Sequence, residues 1–379
     1  MKTSRLKLKY LYYSYYVLCI LVLLSRFTQT FTFLEYIFKF ILPYLPILGI
    51  LLILTKTNFT FDPIFLILIP LQFLGQSNFV ITDNFIYIVI FYLLFKDESP
   101  DEFIKLHFYS LSFYVLILSI SSLLGILDNV SFYTGVRFRR GLTFSHPNML
   151  AIVLLSIHSS WFYLITQKIF KHSSILIISL ILQIFLCFFY YDTRNGAISL
   201  LLLLLFIIII NPLQSISKSD NYKKIINHAW ILPIIFFLIS VFITITFDNS
   251  NYIYNKINSI LSGRLGLQSN AFSKYGYPLF GKGMTFSTGK DYDYVDAFYN
   301  AKVYEYGLLV ESIFLIYLSF SLKKFFKTND VAISTILLLI FITYFLESFI
   351  EKETFSFIMC PFLVYLFISN NQKRSNHDA

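Results

Sequence analysis

Apolar residues run along this chain in long blocks broken by short polar or charged stretches. The blocks are roughly 17 to 25 residues long, each enough to cross a hydrocarbon core of about 30 Å as a helix. They predict membrane helices from Tyr10 to Ser25, Thr32 to Leu54, Phe61 to Ser77, Val80 to Phe95, Leu106 to Ile126 and Met149 to Thr166. The series continues from Ser174 to Tyr191, Asn195 to Leu213, His228 to Phe247, Tyr304 to Leu322, Val331 to Phe349 and Thr354 to Ser369. The short link Asn78-Phe79 leaves little room for a turn between the third and fourth blocks, and their fusion into one bent helix would invert everything downstream.

Composition agrees with this pattern. The 379 residues are 57% hydrophobic and 13% charged, which leaves too few polar side chains to cover a soluble domain. The expected fold class is an all-α polytopic integral membrane protein with about 12 transmembrane helices and one long extracytoplasmic loop. Residues 1–247 hold the first nine helices, 248–303 the long loop, 304–369 the last three helices and 370–379 a cytoplasmic tail. Residues 1–25 read as a retained first helix, because Leu24-Ser25-Arg26 offers no small-residue cleavage site.

Charge placement gives an independent test of parity, since short cytoplasmic loops retain lysine and arginine. With the N-terminus inside, Lys9, Lys56, Lys96, Lys105, Lys168, Lys171, Lys223, Lys323 and Lys373 all fall on inner segments, and both termini are cytoplasmic. Arginine departs from this bias. Only Arg5 and Arg374 fall inside, whereas Arg26, Arg137, Arg139, Arg140, Arg194 and Arg264 fall outside. A guanidinium stays charged and grips phosphate or carboxylate with a planar fork, so the outer face reads as built for an anion. The alternative is that these arginines pair with carboxylates or reach lipid headgroups.

Three outer stretches carry the candidate chemistry. The run from Ser174 to Leu213 is about 60 Å long as a helix, twice the core thickness, so it must fold back at Asp192-Thr193-Arg194-Asn195-Gly196. An Asp192 to Arg194 pair within that turn is the plainer reading of its charges. Between the fifth and sixth helices lies Arg137-Phe138-Arg139-Arg140-Gly141, followed by Ser145-His146-Pro147-Asn148 ahead of an apolar helix. There Ser145 reads as an N-cap with Pro147 in the first turn. The functional reading is an anion site with His146 as an available base at a helix N-terminus. The long loop adds Ser262-Gly263-Arg264, Leu279-Phe280-Gly281-Lys282-Gly283 and the acidic run Asp291, Asp293 and Asp296. Its glycines read as hinges of a closing loop.

This layout, together with Arg140 to Asn148, Thr193 to Gly196, Ser262 to Arg264, Leu279 to Gly283 and Asp296 to Gly307, resembles the Wzy-type O-antigen, capsular and exopolysaccharide polymerases and the related O-antigen ligases. The resemblance implies a glycosyltransferase of the bacterial cytoplasmic membrane that joins polyprenyl-pyrophosphate-linked oligosaccharide repeat units on the outer face. A flippase and a chain-length regulator of the same pathway would be its partners, besides the lipid bilayer. Arg137, Arg139, Arg140, Arg194 and Arg264 become pyrophosphate-binding candidates, and His146, Asp296 and Glu305 candidates for the general base. Related ligases use a histidine in the long loop, and this chain has none between Asp248 and Lys302.

No cofactor is expected. The acidic run matches no metal loop, the arginines already answer the phosphate charge, and the glycines follow no strand, so no nucleotide site is read. Cys19, Cys187 and Cys360 lie in apolar blocks and read as small hydrophobes. The formal charge of +9 is a sum over two faces and does not indicate nucleic acid. A ligase to another acceptor and a lipid-linked oligosaccharide flippase remain the alternatives, although the chain shows no internal repeat of the kind common in transporters.

Overall fold

The computed structural model describes residues 2–25, 28–29, 32–56, 84–133, 138–216, 228–260, 263–280, 300, 302–304, 307–326, 331–346, 362 and 364. The protein is all-α apart from one short ribbon. In chain order the helices are α1 (Lys2–Ser25), α2 (Thr32–Ile41), α3 (Leu45–Leu54), α4 (Asn84–Phe95), α5 (Pro100–Leu123), α6 (Pro147–Thr166), α7 (Ser173–Phe189) and α8 (Arg194–Ile216). They continue with α9 (Leu232–Thr246), α10 (Tyr252–Ile260), α11 (Arg264–Tyr275), α12 (Leu308–Phe326) and α13 (Val331–Leu346). Strands β1 (Ser131–Tyr133) and β2 (Phe138–Arg140) pair antiparallel between α5 and α6, with Ser131 opposite Arg140.

Among the described residues, five stretches are long and apolar enough to cross a membrane: Leu8–Ser25, Phe33–Leu54, Pro100–Leu123, Pro147–Thr166 and Ala229–Thr246. Two more, Ser173–Phe189 and Gly196–Ile208, are apolar but shorter. Large apolar side chains stand exposed along several of these helices, among them Phe113, Leu123, Phe189, Leu238 and Phe242. So much exposed apolar surface suits hydrocarbon surroundings and not water. The expected third and twelfth helices lie outside the described residues, apart from Phe362 and Val364.

Two details of the expected helices change. The second is broken at Leu42–Tyr44, a 3-10 turn, because Pro43 and Pro46 lack the N–H donors that a continuous ladder needs. The fifth starts earlier, at Pro100, with Asp101 and Glu102 in the first turn where free N–H groups and the helix dipole favour carboxylates.

Those carboxylates organise one end of the bundle. Lys9 pairs with Glu98 at 3.1 Å and with Glu102, Tyr13 donates to Glu102 at 2.9 Å, and Lys56 reaches Asp97 at 3.1 Å. Tyr163 near the end of α6 donates to Asp101. Beneath this end Tyr16 packs edge-on against Phe91 and Phe103, with ring centroids 4.8 and 4.9 Å away. The opposite end is tied by a bridge between Thr28 and Phe144 and by the Gln29 N–H donating to the Thr143 carbonyl at 2.6 Å. Lys9, Lys56, Asp97 to Glu102 and Tyr163 thus gather at one end, and the start of α6 with Thr28 and Gln29 at the other.

α6 is the central helix: 83% of its spanning window is buried, against 28 to 50% for the other four long candidates. Such burial makes its N-terminus a rigid place to mount a site. The fold-back of α7 onto α8 occurs as the sequence requires, through a turn in which Asp192 takes a left-handed φ of 50°.

The stretch from Asp248 to Lys302, expected as a loop, is in part helical. α10 and α11 occupy its first half, and α11 is bounded by Gly263 and Gly276 at φ 84° and 61°. Gly266, expected as a hinge, lies inside α11, and residues 281–299, which carry Gly281, Gly283 and Gly289, are outside the described residues.

Candidate functional site

The site is assembled where the ribbon, the start of α6 and the α7 to α8 turn meet. β2 ends in Arg139 and Arg140, and the chain then turns tightly at Gly141, where Phe144 N–H donates to the Gly141 carbonyl at 2.9 Å. A Cβ on Gly141 would lie 2.4 Å from the Phe144 carbonyl oxygen, so only glycine fits. This turn aims the following residues at the head of α6.

His146 itself is the N-cap of α6; the sequence reading had placed Ser145 there. The reason is Pro147, which drives the preceding residue out of the helical region, and His146 sits at φ −149° and ψ 141°. Its Nδ1 accepts the Asn148 N–H at 3.2 Å, the part a serine or aspartate oxygen plays elsewhere.

Arg139 ties the three segments together. Its Nε donates to the Asp192 carbonyl at 3.1 Å, Nη2 donates to Asn148 Oδ1 at 2.9 Å, and Nη1 lies 3.3 Å from His146 Nε2. Thr193 completes the hub by donating from Oγ1 to the same Asn148 oxygen at 2.8 Å. Both imidazole nitrogens of His146 therefore face donors. A neutral imidazole meets one of them with its lone pair, whereas an imidazolium, a donor at both nitrogens, meets neither.

Alternation along β2 separates the directions of Arg139 and Arg140. The Arg140 guanidinium lies 4.6 Å from the Tyr190 ring centre and 5.0 Å from that of Phe138. Stacking uses the guanidinium face and leaves its in-plane N–H groups directed at whatever lies beyond the rings. Arg194 is exposed at the first position of α8, where helix N–H groups are also unpaired. Among the described residues it has no ion-pair partner, so the expected Asp192 to Arg194 pair is not formed. The backbone of Asp192 serves Arg139 instead.

Gly196 lets this turn sit close to α6. A Cβ there would lie 2.3 Å from Ala151 Cβ and 3.0 Å from Thr193 Oγ1, so α6 and α8 touch through two small residues. The structure thus joins Arg139 to His146, sets Arg140 beside Tyr190 just ahead of the α7 to α8 turn, and places Arg194 next to Thr193 in that turn. Arg264 begins α11, and its side chain lies outside the described residues, as do Arg137, Asp296 and Glu305.

Sequence reasoning missed two sets of residues. The first is Asn148, Thr193 and Tyr190, which sit beside the charged residues that drew the eye. The second anchors α11 and the chain after it: Asn300 Nδ2 donates to Ser240 Oγ at 2.9 Å, Thr244 Oγ1 at 2.8 Å and Gln268 Oε1 at 3.0 Å, while Tyr277 donates to Asn300 Oδ1 at 3.0 Å. Burial pushes the Tyr277 phenol up to about 12, which keeps its proton on the oxygen that donates here. Nearby, the N–H groups of Leu308 and Leu309 donate to the Pro278 and Leu279 carbonyls at 2.9 and 3.1 Å, satisfying the start of α12.

His107 lies inside α5 and is fully buried, with Nδ1 2.6 Å from Tyr16 Oη and Nε2 2.8 Å from Ser156 Oγ. Cys19 and Cys187 are buried free thiols, and Cys360 falls outside the described residues. Comparison of the chain with protein-family models, with curated proteins and with solved structures finds no match.

Proposed function

We propose that the protein is a membrane glycosyltransferase that joins polyprenyl-pyrophosphate-linked oligosaccharide repeat units on the outer face of the bacterial cytoplasmic membrane. The observation that carries this reading is the hub in which Arg139 ties the Asp192 carbonyl, Asn148 and His146 together, with Arg140 stacked near Tyr190 and Arg194 opening α8 from the same turn. In this reading about twelve helices cross the bilayer, with both termini inside and the scaffold outside.

The chemistry follows from the residue types. A hydroxyl of one lipid-linked unit attacks the anomeric carbon of the growing chain, the bond from that carbon to the pyrophosphate oxygen breaks, and the lipid pyrophosphate leaves. His146 takes the hydroxyl proton. Arg140 and Arg194 stabilise the charge collecting on the leaving group, a task for which preorganised donors in a water-poor site are effective. Arg139 is assigned to holding His146 and the turn, because three of its donors are engaged there. Arg137, Asp296 and Glu305, outside the described residues, and Arg264, whose side chain is also outside them, stay candidates for the same site.

The test is polysaccharide size in cells carrying Arg140→Ala, Arg194→Ala or His146→Ala, with membrane protein level followed by immunoblot. Each substitution should lower polymer formation by roughly 10²-fold, the scale of losing one charge-stabilising group, and leave single lipid-linked units displayed outside. Units trapped inside would point to a flippase, and full-length polymer left unattached would point to a ligase.

A further inference from the structure

Next to the arginine scaffold, between the end of α1, α2 and the turn before α6, lies a cleft of about 600 Å³. That volume is within the range of small-ligand sites. We propose that this cleft binds an uncharged sugar ring, the end of the acceptor glycan, a subsite that rests on the glycosyltransferase reading above.

The lining decides the class of ligand. Phe38 offers an aromatic ring suited to the C–H face of a pyranose, and Leu42 and Val130 extend the apolar side. Gln29, Glu35, Lys39 and Ser145 supply donors and acceptors of both kinds around it. Glu35 and Lys39 pair at 2.6 Å across one helical turn, so these two lining charges cancel. Among the described residues the lining therefore carries no net charge, in contrast with the cationic scaffold beside it. Ser25 and Thr28 serve as wall, since their hydroxyls donate to the Val22 and Leu24 carbonyls at 2.7 and 3.2 Å.

The position of the cleft gives the subsite its role. Ser145 lines it, and His146 is the next residue, with consecutive Cα atoms about 3.8 Å apart. His146 thus stands at the border between a neutral, hydroxyl-matching cleft and the anion-directed arginines. The bridge between Thr28 and Phe144 holds the two walls in register.

The experiment uses the full-length protein in nanodiscs of neutral phospholipid and two probes. A panel of methyl glycosides of common hexoses and N-acetylhexosamines is read by saturation-transfer NMR, and farnesyl pyrophosphate is read by equilibrium binding. Ser145→Trp should fill the cleft and Phe38→Ala should remove its ring, and each should weaken glycoside binding about tenfold or more while farnesyl pyrophosphate binds as before. Arg140→Ala should show the reverse pattern. Glycosides that bind Ser145→Trp and Phe38→Ala as well as the parent, or no glycoside bound at all, would overturn the subsite. Loss of farnesyl pyrophosphate from Ser145→Trp and Phe38→Ala would also overturn it, by giving the cleft to the isoprenoid. If the parent binds glycosides in the cleft but no farnesyl pyrophosphate, the subsite stands and the polymerase reading fails.

Discussion

His146 caps α6 and is the proposed base, and substitution can part the two roles. Asparagine is a good N-cap, so His146→Asn should keep α6 and the melting temperature close to the parent while abolishing polymer formation. His146→Ala should lose both, with stability down by about 1 kcal/mol. Equal polymer from His146→Asn would remove His146 as the base and leave Asp296 and Glu305. Arg139→Lys keeps the charge but loses the fork that reaches Asp192, Asn148 and His146. It should cost about 1–3 kcal/mol in a detergent melt, the scale for charged hydrogen bonds lost from a part-buried site.

The contact between α6 and α8 depends on two small residues, which makes it testable by a double substitution. Gly196→Ala places a methyl within van der Waals overlap of Ala151 and should destabilise by about 1–3 kcal/mol, and adding Ala151→Gly should restore part of that loss. Additive melting shifts would mean that the two helices do not meet there. Asn300→Ala removes the amide shared by Ser240, Thr244 and Gln268, and α11 should become open to limited proteolysis.

At this scale the sequence was legible wherever one quantity decided the outcome. The length from Ser174 to Leu213 forced a fold-back, and the polar break at Asp192 to Gly196 located it. The cap of α6 was misread because serine is the commoner capping residue, while the constraint came from Pro147 acting on His146. The helices α10 and α11 were hidden by a polar composition that a solvated loop shares. The hub of Asn148 and Thr193 was hidden for another reason: a hydrogen-bond partner 45 residues away is chosen by helix docking, which no local pattern encodes. Ser240 and Asn300, separated by 60 residues, are the same case.

For the whole molecule, the account rests on two ends with different chemistry. One end is a lattice of lysines and carboxylates around Lys9, Lys56 and Asp97 to Glu102. The other carries the arginine scaffold and the cleft. A single cysteine at Ser145 should therefore be labelled by a membrane-impermeant thiol reagent in intact cells, and one at Gln167, at the far end of α6, only after permeabilisation. The opposite pattern would invert the orientation and remove the site from the outer face. The apolar helices make the bilayer setting readable from sequence alone.

The most direct measurement is reconstitution of the purified protein in nanodiscs with polyprenyl-pyrophosphate-linked repeat units isolated from a strain lacking this protein. The account predicts glycans of two or more repeats on the lipid, one released polyprenyl pyrophosphate for each bond formed, and loss of both products in Arg140→Ala and His146→Asn. Unchanged single units with the folded parent protein, or equal product from both variants, would contradict it.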